Sequence, residues 1–378
     1  MPMPNALRYL QYTGCALTEV FSFYLFILIL TRSSKKFGAY KYLMAVFSLF
    51  SMGYGVVEVL TQPVIHIEGT ALILIVDSFL KTEKVIGFHV AVLYCSSYGV
   101  CVALLSTHFC YRYLAVCRPH VIQRLTGRRL AYLFIPSLFF GVLWFATVDY
   151  CARPTAFNSE YLKESLRQYY NEDSYSVAQI SFVYYYYNNS NQLIIHWAQV
   201  LSMFFLSSIM GFTITSIIIF AVKTYKSVEK SRDKWSPMTR DLHRQLFNTL
   251  VLQSLVPFFI MFLPVALIFS VPLLNVHPGY LANTPGIWIS FYPAIDAVIA
   301  VLMIRDFRDA LFCMLKKQKV LEMLFLFQVE NVTWQWDIVT VHYPLIFGDS
   351  QFMQCSLVYI ILDLLGTFFA TFVSCSHA

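Results

Sequence analysis

The ionisable residues that stand inside apolar stretches of this chain are the residues best placed to do chemistry. Glu19, Glu58 and Asp296 each lie within a long apolar run, and Arg112 closes another. A charge in such a run is costly unless a polar group satisfies it, so each is a candidate structural or functional site. We expect Asp296 to accept a hydrogen bond inside the protein and act as a structural switch. Glu58 is expected to reach water near the end of its run.

Motifs for enzyme chemistry are missing from the sequence. It has no HExxH pair, no phosphate-cradling glycine loop and no Ser/His/Asp set with a defensible spacing. The nine cysteines are scattered, without a CxxC pair or a metal-ligand spacing. We therefore predict a protein that is not an enzyme and that carries no cofactor and no metal.

Seven long apolar segments determine the class of the chain. Apolar residues make up 58% of it and charged residues only 13%, against about 25% charged in a soluble domain. A helix needs about 20 mainly apolar residues to cross a bilayer with its backbone satisfied. We predict an all-α integral membrane bundle of seven helices. The predicted spans are 9–30, 42–62, 86–114, 131–150, 197–222, 246–271 and 285–304.

The basic residues predict the orientation of these spans. Of the 27 Lys and Arg residues, 20 fall in every second gap, within Arg32–Lys41, Arg118–Arg129, Lys223–Arg244 and Arg305–Lys319. Short loops rich in Lys and Arg stay in the cytoplasm, which predicts an N-terminus outside. The net charge of +6 does not indicate nucleic acid, because the basic residues never gather on one face. The lipid bilayer is the partner that they indicate.

The gaps between the spans carry further signals. The outer gap from Cys151 to Ile195 contains a sequon, and a glycan on Asn188 would require this gap to face the lumen. The basic gap Lys223–Arg244 is either a solvated topology loop or an extension of helices five and six that presents a docking surface. Residues 305–316 have the pattern of a short amphipathic helix on the inner membrane surface.

The last part of the chain departs from this pattern. We expect residues 1–319 to form the membrane domain, whereas residues 320–378 hold five acids and no Lys or Arg. A possible extra hydrophobic segment lies at 356–373. This acidic tail is therefore a genuine atypical appendage, an eighth span or an artefact of sequence assembly.

Four motifs, in order along the chain, resemble those of one family. They are Lys41–Ser51 with Glu58 and Pro63, His108–Tyr113, Leu252–Pro257 with Pro264, and Tyr292–Asp296 followed by Ile304–Arg308. Together they resemble the nematode Str-type serpentine chemoreceptors, which are seven-helix, G-protein-coupled odorant receptors. The likeness covers roughly residues 5–315. It departs at Ala297, where a second proline is expected, and does not extend past Lys319.

The resemblance implies an olfactory receptor in the plasma membrane, in a sensory cilium, that activates a heterotrimeric G protein. Arg112 looks like the arginine of the Asp-Arg-Tyr motif, but Tyr111 precedes it, so a resting-state latch must use another acceptor. The alternative is an anchor that snorkels to the headgroups. The prolines are either hinges or static packing. The predicted coupling and switch residues are Arg112, Tyr113, Arg240, Arg244, Pro257, Pro264, Pro293 and Asp296.

The resemblance also suggests where a ligand and a disulfide would be. In most large receptor families a disulfide braces span three, and here it would have to pair Cys95 with Cys151. We expect the ligand between the outer halves of spans three, five, six and seven. Because that region has no Lys or Arg, a small neutral odorant fits better than an anion. The candidate ligand residues are His89, Tyr94, Tyr98, Met203, Phe204, Phe262, Phe269, Trp288 and Ser290.

Two other functions are weighed against a receptor. An odorant-gated ion channel with seven spans would place its N-terminus inside, which the basic residues oppose. A small-molecule transporter would show internal repeats and paired Gly- or Pro-broken spans, and no repeat is evident.

Overall fold

Seven long apolar helices dominate the computed structural model, which describes residues 5–33, 37–125, 127–188, 190–230, 237–276 and 278–313. Each predicted span overlaps one helix. The acidic tail 320–378, with its candidate segment 356–373, lies outside the described residues, as do residues 314–316 of the predicted amphipathic helix. Spans one to seven are Leu7–Arg32, Tyr40–Thr61, Lys84–Cys117, Gly127–Cys151, Trp197–Lys230, His243–Leu274 and Leu281–Met303.

The bundle has two ends of different character. We call the end that carries Asn5 the outer end and the end that carries Arg32 and Tyr40 the inner end. Spans three and five have 34 residues each, more than the roughly 20 that a bilayer core requires, so they project beyond it. Span five continues as helix to Lys230, and the helix of span six begins at Pro237. Most of the basic gap is therefore helical, as the second interpretation of that gap required.

Span six is broken into four pieces, and the breaks follow its prolines. An α-helix Pro237–Pro257 passes into a π-helical turn Phe258–Phe262, then an α-helix Leu263–Ser270 and a 3-10 turn Val271–Leu274. Proline has no N–H, so Pro257 cannot bond to the carbonyl of Gln253 four residues earlier. Pro293 interrupts the helix Thr284–Met303 of span seven in the same way. Span four starts as a 3-10 helix, Gly127–Phe134, before its α-helix Ile135–Cys151.

Three strands form a small sheet at the outer end, which the sequence analysis did not predict. Strand β1 is Pro63–Glu68, β2 is Ala71–Val76 and β3 is Gln179–Val183, all antiparallel with β2 in the centre. Gly69, at φ +55°, supplies the tight turn between β1 and β2. A separate hairpin pairs β4, Tyr185–Tyr187, with β5, Leu193–Ile195.

The sheet lies between two layers, and its two faces differ. The face on the outer helix, Ala156–Tyr170, carries buried polar side chains, His66 and Ser181, beside its apolar ones, whereas the face on the bundle is apolar. Alternate strand residues point to opposite faces. One face carries Val64, Ala71, Ile73 and Val183, which form a buried cluster with Leu162 and Leu166. Those two leucines belong to the outer helix. Thr155 caps the start of this helix, because its hydroxyl accepts a hydrogen bond from the Asn158 N–H. The other face is turned toward the bundle.

Ion pairs connect the outer segments near the start of span one. Asp77 accepts from Arg8 at 2.5 Å and from Lys81 at 3.1 Å, and Lys81 also reaches Glu172 at 2.6 Å. Partial burial tends to lower the pKa of Lys81, but the hydrogen bonds and charges of Glu172 and Asp77 outweigh it and raise that pKa. The ammonium group therefore stays charged and joins the loop after β2 to the segment after the outer helix.

At the inner end, the segment after span seven is helical over 305–313. Its apolar side does not lie free on a membrane surface. Phe307 is fully buried and stacks on Phe37, with ring centroids 5.9 Å apart. It belongs to an inner core that includes Tyr40, Tyr111 and Ala300. The predicted amphipathic helix thus exists over its described part, but it packs against the bundle because Phe307 finds a buried partner there.

Candidate ligand site and inner switch region

A cavity of about 100 Å³ lies among the spans directly beneath the sheet. Spans two to seven form its wall, and the bundle-facing side of the sheet forms most of its roof. The register of β1, β2 and β3 places Ile65, Leu74 and Ile180 side by side, and Leu72 beside Phe182. The lining residues are Tyr54, Tyr94, Cys95, Tyr98, Trp144, Val148, Met203, Leu206, Val265, Ile268, Phe269 and Ile289 from the spans, and Ile65, Leu72, Ile73, Leu74, Ile180 and Phe182 from the sheet.

The cavity wall is almost wholly apolar and aromatic. Tyr54 stacks on Tyr94 at 5.6 Å between ring centroids, and Tyr98 meets Trp144 edge-on at 5.7 Å. None of the lining residues carries a formal charge at neutral pH. The buried hydroxyl of Tyr98 has no hydrogen-bond partner among the described residues. A buried hydroxyl without a partner costs about 1–3 kcal/mol, so an acceptor atom on a bound molecule would be stabilised here.

Four of the nine predicted ligand residues line this cavity, namely Tyr94, Tyr98, Met203 and Phe269. The other five lie elsewhere. Phe204, next to Met203, is 58% exposed, because neighbouring helix residues point about 100° apart. His89 is exposed near the end of span three, 3.6 Å from Asp149.

The remaining three predicted residues are on spans six and seven but face away from the cavity. Phe262 is buried in the π-helical turn, and Trp288 is half-buried. Ser290 is buried and donates its hydroxyl hydrogen to Glu58 Oε1. Glu58 itself is only 3% exposed. The expectation that Glu58 reaches water is therefore wrong for this structure.

Spans two and four and the sheet also contribute to the lining, and these contributions were not predicted from the sequence. Trp144 of span four enters because Gly99 of span three leaves room for its ring; a methyl group on Gly99 would be 2.8 Å from Trp144. The sequence signal for the contribution of span four was the presence of a glycine, Gly99, and a tryptophan, Trp144, each within a long apolar run. The run Ala71–Val76 was the signal for the roof, since six apolar residues are too few to span a membrane.

Arg112 is buried at the inner end of span three, and its partner is an aromatic ring. The residue is 4% exposed, and its guanidinium carbon lies 3.6 Å from the centroid of the Tyr40 ring on span two. Its Nε and Nη2 atoms have no hydrogen-bond partner in the described part of the chain. Such burial does not fit a side chain that snorkels to the headgroups. The ring face supplies the attraction that an adjacent carboxylate would otherwise provide.

The other predicted coupling residues lie around the inner end. Tyr113 stacks on Phe220 of span five at 5.4 Å, and Lys223 Nζ lies 5.9 Å from the Tyr113 ring centroid. Arg240 and Arg244 are in the first part of the span six helix, and Arg244 is exposed.

Asp296 connects span seven to span six just inward of the proline break. Gln253 Nε2 donates to Asp296 Oδ2 at 3.0 Å and lies 3.3 Å from the Asp296 carbonyl. Asp296 is buried, so this amide satisfies a carboxyl group that would otherwise be stranded among apolar side chains. Gln253 is also the residue whose carbonyl cannot accept a hydrogen bond from Pro257, which has no N–H. Pro257, Pro264, Pro293 and Asp296 thus border one break region shared by the two spans.

Two predicted modification sites have different outcomes. Cys95 and Cys151 are both free cysteines, so the disulfide that the resemblance suggested is not formed. Cys95 lines the cavity inside the bundle, whereas Cys151 ends span four at the outer surface. Asn188 is exposed next to the turn of the β4–β5 hairpin, and its glycosylation stays a prediction.

Seven apolar helices with an apolar cavity among them define a multi-pass membrane protein of the seven-helix class. Sequence comparison supplies the family. The family model described as "Serpentine type 7TM GPCR chemoreceptor Str" matches residues 7–312 of the chain. The chain belongs to this Str family of serpentine chemoreceptors, which confirms the resemblance carried by the four motifs.

Individual relatives agree with this assignment. The chain is 33% identical to "Serpentine receptor class r-10" of Caenorhabditis elegans over 301 residues, which are 79% of this chain and 88% of that protein. It is 31% identical to the Caenorhabditis briggsae protein of the same name, over 78% and 87% of the two chains. "G-protein coupled receptor str-33" of C. elegans is 25% identical over 76% and 84%. The family is one of receptors and not a class of enzymes.

Proposed function

We propose that this chain is an olfactory receptor that detects a small neutral molecule in the cavity beneath the sheet and activates a heterotrimeric G protein at the inner end. The observation that carries the proposal is the cavity itself, closed above by the sheet and bordered by six of the seven spans. The family to which the chain belongs and the name of the relative str-33 support a G-protein partner. A sensory cilium is the location that the family resemblance suggests.

The lining determines the class of ligand that we propose. A cavity of about 100 Å³ has room for only a small molecule. A charged ligand would lose its hydration without meeting a counter-ion, which costs several kcal/mol. A neutral ligand with an apolar body and an acceptor oxygen would bury its body against Leu72, Met203 and Leu206 and accept from Tyr98.

Span six connects the cavity to the inner end in this proposal. Val265, Ile268 and Phe269 line the cavity from the outer part of span six, directly beyond its π-helical turn. A ligand that fits better when this outer part has moved will favour that arrangement by the difference in affinity. Because the span is broken at Pro257 and Pro264, such movement can shift its inner part. Arg112, Arg240 and Arg244 would then meet the G protein.

A panel of odorants with a G-protein readout tests the proposal. The panel should contain matched sets of similar size: neutral carbonyl compounds, hydrocarbons, carboxylates and amines. We expect responses to neutral carbonyl compounds and a loss of about tenfold in potency on Tyr98→Phe, from the lost hydrogen bond. Phe204→Leu, on the exposed side of span five, is the control and should leave potency unchanged. A receptor that answers only to carboxylates or amines, or one that conducts ions without G protein, contradicts the proposal.

A further inference from the structure

A second cavity, of about 440 Å³, opens on the outer surface, between the outer helix and the β4–β5 hairpin. It shares no lining residue with the cavity among the spans. Five of its lining residues are aromatic, namely Phe157, Tyr161, Tyr185, Tyr186 and Tyr187, and its one charged lining residue is Glu160. Its chemistry is therefore different from that of the uncharged cavity beneath the sheet.

The aromatic wall follows from the local structure. Phe157 and Tyr161 are four residues apart on the outer helix and share one of its faces. Their rings are 6.2 Å apart, and the Phe157 ring lies 4.4 Å from that of Tyr186 on the hairpin. Both Phe157 and Tyr187 are exposed. The face of an aromatic ring carries partial negative charge, so a wall of five aromatic residues at a concave surface is suited to a positively charged occupant.

The charge at the rim has the same sign as the ring faces. Glu160 is 63% exposed, and within the described part of the chain its one ion pair is with Lys163, whose Nζ lies 3.5 Å from both carboxylate oxygens. Lys163 is exposed on the same helix. An exposed pair of this kind is weak. Tyr175 donates its hydroxyl hydrogen to Glu160 Oε2 at 3.0 Å, which holds the carboxylate beside the cavity.

We propose that this aromatic cavity is a second ligand site, for a small organic ammonium cation. A cation over aromatic faces is attracted by the ring quadrupoles, and quaternary ammonium groups are bound in aromatic cages of this composition. The Glu160 carboxylate adds a countercharge at the rim. The volume lies within the range of small-molecule sites. The cation is either a free amine or ammonium compound, or the choline group of an outer-leaflet lipid.

Hydrogen bonds join the second site to span six. The Tyr184 N–H donates to the Thr70 carbonyl at 3.1 Å, and the Thr70 hydroxyl donates to the Tyr185 carbonyl. Tyr184 and Tyr185 in turn donate their hydroxyl hydrogens to the carbonyls of Phe269, at 3.2 Å, and Leu273, at 3.4 Å. An occupant that contacts the hairpin would therefore also act on the outer end of span six, through these hydrogen bonds. Its effect on odorant potency rests on the proposed function, whereas its binding does not.

Direct binding of tetramethylammonium to the full chain tests the site without any signalling readout. The receptor is placed in nanodiscs of phosphatidylglycerol and phosphatidylethanolamine, which have no choline groups, and binding is followed by saturation-transfer NMR. We expect binding that falls by about fivefold on Phe157→Leu and on Glu160→Gln, through loss of a ring face or of the countercharge. Tyr186→Phe keeps the ring and should bind as the wild type does. The matched controls are Glu164→Gln, one turn along the same helix, and Phe79→Leu, an exposed ring in another loop.

Two further measurements complete the test. The first distinguishes recognition of the positive charge from recognition of shape alone, and the second distinguishes the two sources of the cation. An alcohol in which a carbon atom replaces the quaternary nitrogen, such as 3,3-dimethylbutan-1-ol, matches the volume of choline but carries no charge. It should therefore bind much more weakly. Equal binding of the neutral compound, or binding unchanged by both Phe157→Leu and Glu160→Gln, overturns the proposal. In phosphatidylcholine nanodiscs, weaker binding of free tetramethylammonium identifies the lipid headgroup as the occupant. Unchanged binding there identifies a soluble cation.

Discussion

At the scale of single residues, the inner end is organised around a buried cation that has no acidic partner among the described residues. Arg112 lies against the Tyr40 ring, and the Tyr40 hydroxyl is 3.5 Å from His108 Nδ1. The Tyr111 ring lies tilted beside the Tyr40 ring, with 5.5 Å between the ring centroids. This cluster joins spans two and three by aromatic contacts. In receptors with an Asp-Arg-Tyr motif, the arginine would instead form an ion pair with the adjacent aspartate. A desolvated cation–π contact contributes about 2 kcal/mol, enough to bias an equilibrium between two arrangements.

We predict that Tyr40→Leu raises signalling in the absence of ligand. The substitution removes the ring face that holds Arg112, and about 1.4 kcal/mol corresponds to a tenfold change in an equilibrium constant. Basal G-protein activity, divided by the amount of receptor at the surface, should therefore rise by up to about tenfold. Tyr40→Phe keeps the ring and serves as the control. Equal basal activity in wild type and Tyr40→Leu would show that the contact does not restrain the resting receptor.

Gly99 is a second residue on which the site depends, because Trp144 packs directly against it. We predict that Gly99→Ala lowers odorant potency, since the new methyl group would be 2.8 Å from the indole and must move it relative to the cavity. Overpacking of this kind costs about 1–3 kcal/mol. Gly53→Ala is the control, because an added methyl group there meets no atom within 4 Å. Dose-response curves corrected for surface expression measure the effect.

A compensating change keeps this prediction testable if Gly99→Ala reaches the surface poorly. Trp144→Phe in the same chain removes part of the ring that the methyl group contacts. The double variant should recover surface expression and respond to larger odorants than the wild type does. If neither substitution alters potency or ligand size, the Gly99 and Trp144 contact does not shape the site.

At the scale of elements, the break in span six and its contact with span seven form one unit. Gln253 has its side chain on Asp296 and a carbonyl that receives no hydrogen bond from Pro257, so a single residue connects the break to the neighbouring span. Gln245, two turns earlier, donates to the Met303 carbonyl at 2.6 Å and fixes the inner parts of the same two helices. The break region is thus held against span seven by side-chain amides, which can exchange partners when the helices move.

We predict that Gln253→Leu and Asp296→Leu each change the basal and the odorant-stimulated response, and that their effects are not additive. Either change alone strands a buried polar group, at about 1–3 kcal/mol, whereas the double change removes both partners. A double-mutant cycle on the activation equilibrium should therefore give a coupling of about 0.5–3 kcal/mol. Thr215→Val, which loses only a bond to its own helix at Gly211, is the control. Strict additivity would place the two residues in separate roles.

The elements differ in how far the sequence alone could predict them. The spans were predictable to within a few residues because each is long, apolar and bounded by polar gaps, so its stability in a bilayer is a local property. The sheet was not, because β2 pairs with β3, which is about a hundred residues further along the chain, and that register follows from packing rather than from spacing. The run Ala71–Val76 gave only an apolar segment that was too short to span.

The site was predictable only in part, for the same physical reason. Tyr94 and Tyr98, one turn apart on a recognised span, could be placed on one face from helical periodicity. Periodicity does not say which face is inward, so Phe204 was chosen with Met203, although it points outward. The contact between Arg112 and Tyr40 joins two spans and could not be read from either one. The Str family resemblance located Arg112, but its partner required the structure.

At the scale of the whole molecule, the outer layers form a cover with a separate cavity on each side. The sheet roofs the apolar cavity with Leu74 and Phe182 and packs its other face on the outer helix. The outer helix and the hairpin hold the aromatic cavity beyond it. The opposite end presents basic, helical extensions of spans five and six. A receptor built this way would sample small uncharged and cationic molecules on one side and present positive charge to a protein partner on the other.

This division of roles requires the hairpin and the N-terminus to face the exterior, which makes orientation the last prediction. We predict that the full-length receptor carries a glycan on Asn188, because this residue is exposed beside the hairpin turn and oligosaccharide transfer occurs only in the lumen. Asn188→Gln should lose the mobility shift that glycosidase produces in the wild type. An N-terminal epitope should be accessible to antibody on intact cells, and an epitope inserted in the basic gap Lys223–Arg244 only after permeabilisation. The alternation of basic gaps fixes the orientation of both ends of the bundle together. The reverse pattern of accessibility would therefore place the basic helix ends outside, where they could not meet a G protein.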